Sequence, residues 1–600
     1  MRWSPCRHGY AESAWYGECR GVGLPVNVHV FATDYDGTIA DDNRVSETTA
    51  RALERVRATG RKLLLVTGRM LPDLQRVCPD VERMFDAVVA ENGAVVYFPE
   101  RREVRRLGDA PEPALIEALR RRGIPFDSGS GILATDAPFA EGALAAIRET
   151  GVERTLVFNK DALMLLPGGV TKGTGLAAVL AALELSPHNM VGIGDAENDH
   201  AFLAMSECAV AVADAVPALR ERADYVTRAP SARGVVEFIE EHLLRDLVDI
   251  MPRLTRHQLV LGEQADGTPV AVAAHSTRLL VVGPSATGKS TLTGVLAERL
   301  LEAGRSLVLL DPEGDFRTLA ELERVVVFGG KGEQALPAPD EMNQLLRHPQ
   351  TSLVLDLSAM SLSEKTAYAT TVLAVITAMR STTGLPHWLI IDEAHHVLPA
   401  EGSPAAELLR PGAESLAMIT LAARDLAPAV RRLPTVVVST EIAAFQEGVQ
   451  SVLGARGEPS LAPSADGRPL ERGETAIAWL DAAPHVTTFR VGKRRVLHRR
   501  HVRKYTEGEL PPDRSFFFRG PTGSLNLRAA NLTRFVELAE GVDEATWLHH
   551  LQQRDYSTWL RDMIKDPELA GEIASFERSG LTAADSRRQV LERVRQKYAV

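Results

Sequence analysis

Two aspartates stand two positions apart in VFATDYDGTIADD (30–42), directly after an apolar run. Alternate residues leave an extended chain on the same side, so Asp34 and Asp36 can approach one substrate together. One carboxylate can attack phosphorus while the other, protonated, hands its proton to the leaving oxygen. A phosphoryl group is itself anionic, so a carboxylate nucleophile needs a cation between them, and Mg2+ suits an all-oxygen site. GDAENDH (194–200) adds acidic ligands, Asp195 and Asp199 among them, at the end of another apolar run. Lys172, in VTKGTG, opens a helix, where free amides and an ammonium both favour an anion.

A different phosphate-gripping device follows in GPSATGKS (283–290), placed between the apolar LLVV and an amphipathic helix. That setting is the one a P-loop needs. Gly283 and Gly288 let backbone amides wrap phosphates, Lys289 reaches the β- and γ-phosphates, and Ser290, followed by Thr291, completes a site for ATP and Mg2+. WLIIDEAHHVLP (388–399) reads as the matching acidic strand, with Asp392 on the magnesium shell and Glu393 polarising the attacking water. Alone, D-x-D or DEAH is a weak signal, since acidic residues abound in solvated turns. The ordered sets carry the reading.

These groups need elements to hold them. VHVFATD, RKLLLVTGR, TLVFN, LMLLP, NMVGIGD and AVAV read as strands, and GTGLAAVLAALEL as a helix. SETTARALERVRATG reads as a helix capped by Ser46 and ended by Gly60. Strand and helix in alternation predict an α/β fold with a mostly parallel, doubly wound sheet. Ligands then sit at the carboxyl ends of the strands, where Asp34, Thr67 and Asp195 fall. RHQLVLGEQADGTPVAVAAHS reads as short strands with a turn at ADGT.

With 600 residues the chain is expected to form several domains. No apolar run approaches the length of a membrane span. Residues 1–27 lack the apolar centre of a signal peptide and read as a poorly ordered extension. The four cysteines (Cys6, Cys19, Cys78, Cys208) form no metal-like cluster and suit a reducing cytoplasm. The net charge of −11 argues against a chain coated for nucleic acid. FRVGKRRVLHRRHVRKY (489–505) nevertheless concentrates cations. It reads equally as a contact for nucleic-acid phosphates or as a solvated strand pair facing acids elsewhere, with His498 and His501 as surface groups.

DYDGT, VTGR, the helix-opening Lys172 and GDAEND, in that order, resemble the haloacid dehalogenase (HAD) superfamily, most of all its Cof-type branch of sugar-phosphate and phosphoglycolate phosphatases. The resemblance covers 28–243 and includes AENGAVVY (90–97) and ADYVT (223–227). It implies Asp34 as the nucleophile that becomes an aspartyl-phosphate. Asp36 would be the acid/base, its backbone carbonyl also on Mg2+. Thr67 would bond the phosphoryl oxygens, Lys172 would neutralise them, and Asp195 would ligate Mg2+, with Asn198 and Asp199 ordering that shell. It also implies an α/β cap over 86–170, limiting substrates to small phosphomonoesters or a terminal phosphate threaded beneath.

SLVLLDPEGDF (306–316), the P-loop and DEAHHVLP resemble the HerA/FtsK group of motor ATPases over 250–505. That implies a RecA-like domain, a hexameric ring with ATP at subunit boundaries, and an arginine donated by the neighbour. ITLAARDLAPAVRRLPTVVVST (419–440) departs from the group's usual Gln-Arg-Pro sequence, leaving Arg424, Arg431 and Arg432 as candidates. Beyond 506 the pattern reads as helical. Leu525, Leu527, Leu532, Phe535, Val536 and Leu538 mark buried faces, with Trp547, Leu548, Leu551, Tyr556 and Trp559 packing the helices. SRRQVLERVRQKYAV reads as an exposed helix. His549 and His550 are neighbours on different helix faces, an unpromising ligand pair.

The expected organisation is an extension (1–27), a HAD-like phosphohydrolase (28–245), a HerA-like ATPase (246–505) and a helical docking or assembly domain (506–600). Two readings of the pair compete. One is a machine that trims nucleotide or nucleic-acid ends in repair or defence. The other is a metabolite phosphatase with a regulatory ATPase. A scaffold using both sites only as switches is the third class.

Overall fold

The computed structural model describes residues 28–598, apart from 160, 252–253, 255, 286, 331–333, 410–414, 460–469, 472, 482–483, 495–509, 511, 513, 522–524 and 565. The 1–27 extension, with Cys6 and Cys19, and most of the 489–505 basic run, with His498 and His501, thus lie outside the described residues.

Val30–Thr33 runs through an eight-stranded sheet between Met190–Gly194 and Lys62–Val66, parallel to both. Cys208–Ala211 and Tyr225–Val226 extend one flank and Ala87–Ala90 the other, still in parallel. Strands covered on both faces need apolar side chains on both, and every residue of Val30–Thr33, Ala87–Ala90 and Met190–Gly194 is buried. The first helix, Glu47–Ala58, starts where expected: Ser46 Oγ accepts from Thr49 N at 3.1 Å. Ala52, Leu53 and Val56, three to four residues apart, face the sheet.

A roof layer stands apart from this sheet. It is a four-stranded antiparallel sheet ordered Arg154–Asn159, Ala162–Pro167, Leu133–Asp136, Asp127–Ser128, with Pro113–Arg121 and Ala140–Thr150 packed on it. The expected cap over 86–170 is therefore too long. Ala87–Ala90, Val95–Phe98 and Glu103–Arg106 belong to the core sheet, the last two turning back antiparallel. Apolar alternation predicts a strand but carries no information on which sheet it joins. The expected change of domain at 245/246 also falls early, because Leu247, Ile250, Met251 and Leu254 pack into the first core.

The second sheet has eleven strands. Arg278–Val282 lies between Val436–Ser439 and Leu416–Thr420, and Trp388–Ile391 lies beyond the latter. Leu307–Asp311, Ser352–Asp356 and Val325–Gly329 complete the parallel part. Glu474–Trp479, His485–Val491, Gln258–Glu263 and Pro269–Ala273 add an antiparallel flank.

The two sheets share one compact unit, formed by the described residues of 28–313 and 322–494. A buried polar cluster joins them. Arg305, just ahead of Leu307–Asp311, donates to Glu207 Oε2 at 2.6 Å, and Glu207 immediately precedes Cys208–Ala211. His188 Nδ1 lies 3.3 Å from the same carboxylate oxygen, and His387 Nε2 lies 2.8 Å from Ser186 Oγ. Removing one member of a buried ion pair strands the other, at a cost of about 3–5 kcal/mol.

Among its described residues, the second compact unit contains the hairpin Phe516–Phe518/Leu527–Ala529 and five helices: Leu532–Gly541, Glu544–Gln553, Asp555–Asp562, Pro567–Arg578 and Ala583–Tyr598. Trp547 and Tyr556 stack at 4.3 Å, and Phe516, Phe518, Phe535 and Trp559 fill the rest of an aromatic core. Two expectations fail here. Leu525 and Leu527 are not on a helix, since 527–529 pairs as a strand, and Leu527 is exposed. The last helix is not simply exposed, because Val590, Leu591 and Val594 enter the core. His550 is a core histidine: its Nδ1 lies 2.7 Å from Asp555, and its Nε2 accepts from Arg519 N at 2.9 Å.

The polar cluster between the sheets makes stability depend on pH. Burial pushes the His275 imidazole down to about 4, with Arg305 adding to the shift and Glu207 opposing it. Burial likewise depresses His387 and His188. These rings are neutral in the fold but titrate near 6.5 once exposed. Their contribution is complete above pH ~6.5 and is lost as pH falls toward about 4. Thermal midpoints should drop steadily across that window, with His275 supplying ~3 kcal/mol of the loss. His275→Gln should flatten the slope, and a wild-type midpoint constant from pH 7 to 4.5 would contradict neutral burial.

Candidate active sites

Asp34 leaves the carboxyl end of Val30–Thr33, and its amide donates to Ile193 O at 3.0 Å. The Lys172 ammonium reaches it from the start of Lys172–Ala182. Thr171 caps that helix, its Oγ1 accepting from Thr174 N at 3.2 Å. Lys172 Nζ donates to Asp34 Oδ1 and to Asp199 Oδ1, each at 2.6 Å, with all three side chains buried. Asp199 is fixed from the other side, where its Oδ2 accepts from the amides of Asp195 and Ala196 at 2.9 Å each. Asp195 accepts from Thr38 Oγ1 at 3.0 Å.

Carboxylate oxygens of Asp34, Asp195 and Asp199 come within 4.8 Å of one another. Burial drives the Asp34 carboxyl well above the usual carboxylate range, Lys172 pulls it back, and Asp199 and Asp195 raise it further. Burial works against the Lys172 charge, but Asp199 and Asp34 outweigh it and hold the ammonium protonated. Three carboxyl groups thus converge around one ammonium. A small, hard divalent cation with oxygen ligands fits that donor set.

Asp36 also lines the cavity above Asp34, but its carboxylate stands outside the buried group. Arg69 grips it with two hydrogen bonds of 2.7 Å, from Nε and Nη2, and holds Asp73 at 2.7 Å with Nη1. Thr67 is fully buried, and its hydroxyl accepts from Arg69 N at 3.1 Å. Asn198 donates to Asn92 Oδ1 at 2.9 Å. The cavity, of about 870 Å3, is walled by the core sheet's loops and by residues 127–134 of the roof. Thr38, Arg69 and Asn92 were not singled out in the sequence, although each lies within a motif that was: DYDGT, VTGR and AENGAVVY.

A family model described as haloacid dehalogenase-like hydrolase matches residues 31–122 and 142–239. The phosphoglycolate phosphatase of Methanothermobacter thermautotrophicus is 32% identical over 226 residues, spanning 36% of this chain and 99% of that protein. The chain belongs to the haloacid dehalogenase-like hydrolases. Phosphoglycolate phosphatase 2 of Saccharolobus solfataricus is 29% identical, spanning 36% of this chain and 93% of that protein. A crystal structure of a haloacid dehalogenase-like hydrolase from Bacteroides thetaiotaomicron is 19% identical, covering 36% of this chain and 98% of that one with a TM-score of 0.33. Downstream, a model of the HerA helicase central domain matches residues 259–374. This HAD hydrolase therefore carries a HerA-like domain fused behind it.

In the HerA-like part the P-loop spans from Arg278–Val282 to the helix Lys289–Glu302. Gly283 (φ 149°) and Gly288 (φ 111°) adopt backbone angles open to glycine. Lys289 Nζ folds onto the loop, donating to Gly283 O at 2.8 Å and Pro284 O at 2.9 Å. Ser290 and Thr291 follow in the helix's first turn. Asp392, buried, and Glu393, half-buried with a left-handed φ of 42°, follow Trp388–Ile391. Leu416–Thr420 separates that strand from the P-loop strand, so its end faces both. There Thr420 Oγ1 lies 3.2 Å from His395 Nδ1, and His395 lies 3.6 Å from Glu393. Neither Thr420 nor His395 was singled out, although His395 lies within DEAHHVLP and Thr420 within ITLAARDLAPAVRRLPTVVVST.

The three arginines separate in space. Arg431 donates to Ser451 Oγ at 3.4 Å and Arg432 to Ala455 O at 2.8 Å, so both hold the helix Ile442–Arg456. Arg424 is exposed; its backbone amide donates to Glu447.

Lys172 is the counter-charge of a buried anionic cluster. Lys172→Ala should lower stability by about 3–5 kcal/mol in chelator, measured by urea unfolding. Millimolar Mg2+ should recover part of that loss for the variant, because a second cation can take over the carboxylates. Equal losses with and without Mg2+ would argue against a cation site at these residues.

Proposed function

We propose that this chain is a bifunctional enzyme, a Mg2+-dependent phosphomonoester hydrolase joined to an ATP-hydrolysing motor. The observation that carries the first half is the buried Asp34–Lys172–Asp199 arrangement with Asp195 beside it. An Asp34 carboxylate oxygen attacks phosphorus, and the bond from phosphorus to the ester oxygen breaks. The leaving oxygen takes its proton from Asp36, forming the alcohol and an aspartyl-phosphate. Asp36 then removes a proton from water, which attacks phosphorus and frees Asp34 and inorganic phosphate. For this, Asp36 must share or leave the Arg69 grip as substrate enters. Thr67 and Lys172 balance the phosphoryl oxygens. Mg2+, held by Asp34, the Asp36 carbonyl and Asp195 with Asn198 and Asp199 behind them, would screen the repulsion between carboxylate and phosphate.

The second half reads as an ATPase through Lys289, Ser290, Thr291, Asp392 and Glu393. Binding of Mg2+-ATP would draw Lys289 off the loop carbonyls and onto the phosphates. A homo-oligomeric ring, probed by native mass spectrometry with ATP and Mg2+, would place a neighbour's arginine at the γ-phosphate. Arg424 is the best placed of the three, since Arg431 and Arg432 are committed to the helix Ile442–Arg456.

For the substrate, the likeness to the HerA central domain favours action on nucleotides or nucleic-acid ends. The roofed cavity and the relatives named phosphoglycolate phosphatase favour a small phosphorylated metabolite. Among the described residues no helix is long and apolar enough to cross a membrane.

Asp34→Asn should remove phosphatase turnover by at least about 1000-fold while ATP turnover stays intact, and Lys289→Ala should do the reverse. Retained phosphatase activity in Asp34→Asn would remove it as the nucleophile. ATP turnover stimulated by DNA, with the stimulation fading as salt rises, supports the nucleic-acid reading. A flat response with rapid cleavage of 2-phosphoglycolate supports the metabolite reading.

A further inference from the structure

Glu91 follows Ala87–Ala90 and is 1% exposed, yet no Lys or Arg pairs with it among the described residues. Its carboxylate instead accepts two consecutive amides from the roof: Ser130 N at 3.1 Å on Oε1 and Gly131 N at 2.8 Å on Oε2. The same stretch of roof is held from its own side. Gly131 O accepts from Arg154 Nη1 at 2.7 Å, and Arg154 also bonds Asp109 O and Ala110 O on the connecting segment between Glu103–Arg106 and Pro113–Arg121. A side chain at Gly129 would place its Cβ 2.6 Å from Glu91 Oε2, so the close approach needs bare backbone there.

The core side of this contact is rigid and strained. Glu91 and Asn92 have φ of 54° and 51°, the left-handed region that non-glycine residues avoid. Two hydrogen bonds hold them there: Glu91 N to Arg69 O at 2.9 Å and Asn92 N to Thr67 O at 3.1 Å. Asn92 reaches on to Asn198 in the acidic loop at 2.9 Å. Strain of this kind persists where the surroundings over-determine it, and it collects at functional sites. Here it aims a carboxylate at the loop that walls the cavity opposite Asp34, where Asp127, Ser128 and Ser130 lie exposed to the interior.

We propose that Glu91 is a positioning residue that latches the roof segment 127–131 over Asp34, so that leaving-group selection depends on a carboxylate that acts through the cavity wall it holds. The proposal rests on the phosphatase reading for its kinetic consequence but not for the latch itself. Two oxygens with free lone pairs can take two parallel N–H groups. Glutamine turns an NH2 against one of those amides, and aspartate is a methylene too short.

Glu91→Gln and Glu91→Asp in the full-length protein separate the possibilities. Hydrogen–deuterium exchange over 127–131 should quicken about tenfold in both variants, with the core strands unchanged. The ratio of kcat/KM for 2-phosphoglycolate to that for p-nitrophenyl phosphate should change at least about fivefold, mainly through KM. Unchanged exchange over 127–131 overturns the latch. Faster exchange with both substrates slowed equally overturns the role in selection and leaves a structural contact. Wild-type protein inactive on both substrates removes the phosphatase reading, and the exchange measurement still decides the latch.

Discussion

Lys172 between Asp34 and Asp199 is the interaction around which the HAD half is organised. Burying two carboxylates at hydrogen-bond distance from one ammonium is tolerable only if each charge has its partners and each remaining lone pair a donor. The fold supplies them locally. The Thr171-capped helix start delivers the ammonium, the turn after Met190–Gly194 gives Asp199 two amides, and Thr38 orients Asp195. The electrostatics that bring these side chains together are those that would bind a cation and a phosphoryl group.

The HerA-like half solves a related problem with backbone in place of side chains. Glycine angles at 283 and 288 open the loop, and its lysine caps the loop's own carbonyls. The two sites share one compact unit, and a buried polar cluster joins their sheets. Arg305 and Glu207 form its centre, each a residue or two ahead of a core strand, with histidines kept neutral around them. Such a junction is directional, because a misaligned approach would leave a charge unpaired.

Much of the candidate HAD site is legible in the sequence. Asp34, Lys172, Asp195 and Asp199 sit at strand or helix ends that apolar periodicity and capping residues mark plainly. Their convergence follows once a parallel sheet is granted. Arg69 and Glu91 were harder to see. Nothing in VTGR announces that the arginine will grip Asp36, and nothing in AENG announces that the glutamate will face roof amides 39 and 40 residues away. The start of the cap is hidden for the same reason: Val95–Phe98 reads as a strand in either layer, and only pairing assigns it to the core sheet.

Sequence by itself determined which chemistries are present, since residue types at fixed spacing along strand–loop–helix units specify phosphate handling by carboxylates in one half and by a P-loop in the other. It also determined the α/β class, because hydrophobic period reports local structure. Tertiary structure alone decided what each charge faces: that Asp36 is held by Arg69, that the Arg431 and Arg432 guanidinium groups bond to a helix while the Arg424 side chain is exposed, and that the two sheets meet through Glu207 and Arg305. Pairing between residues far apart in the chain depends on how layers stack, and one-dimensional spacing does not encode that.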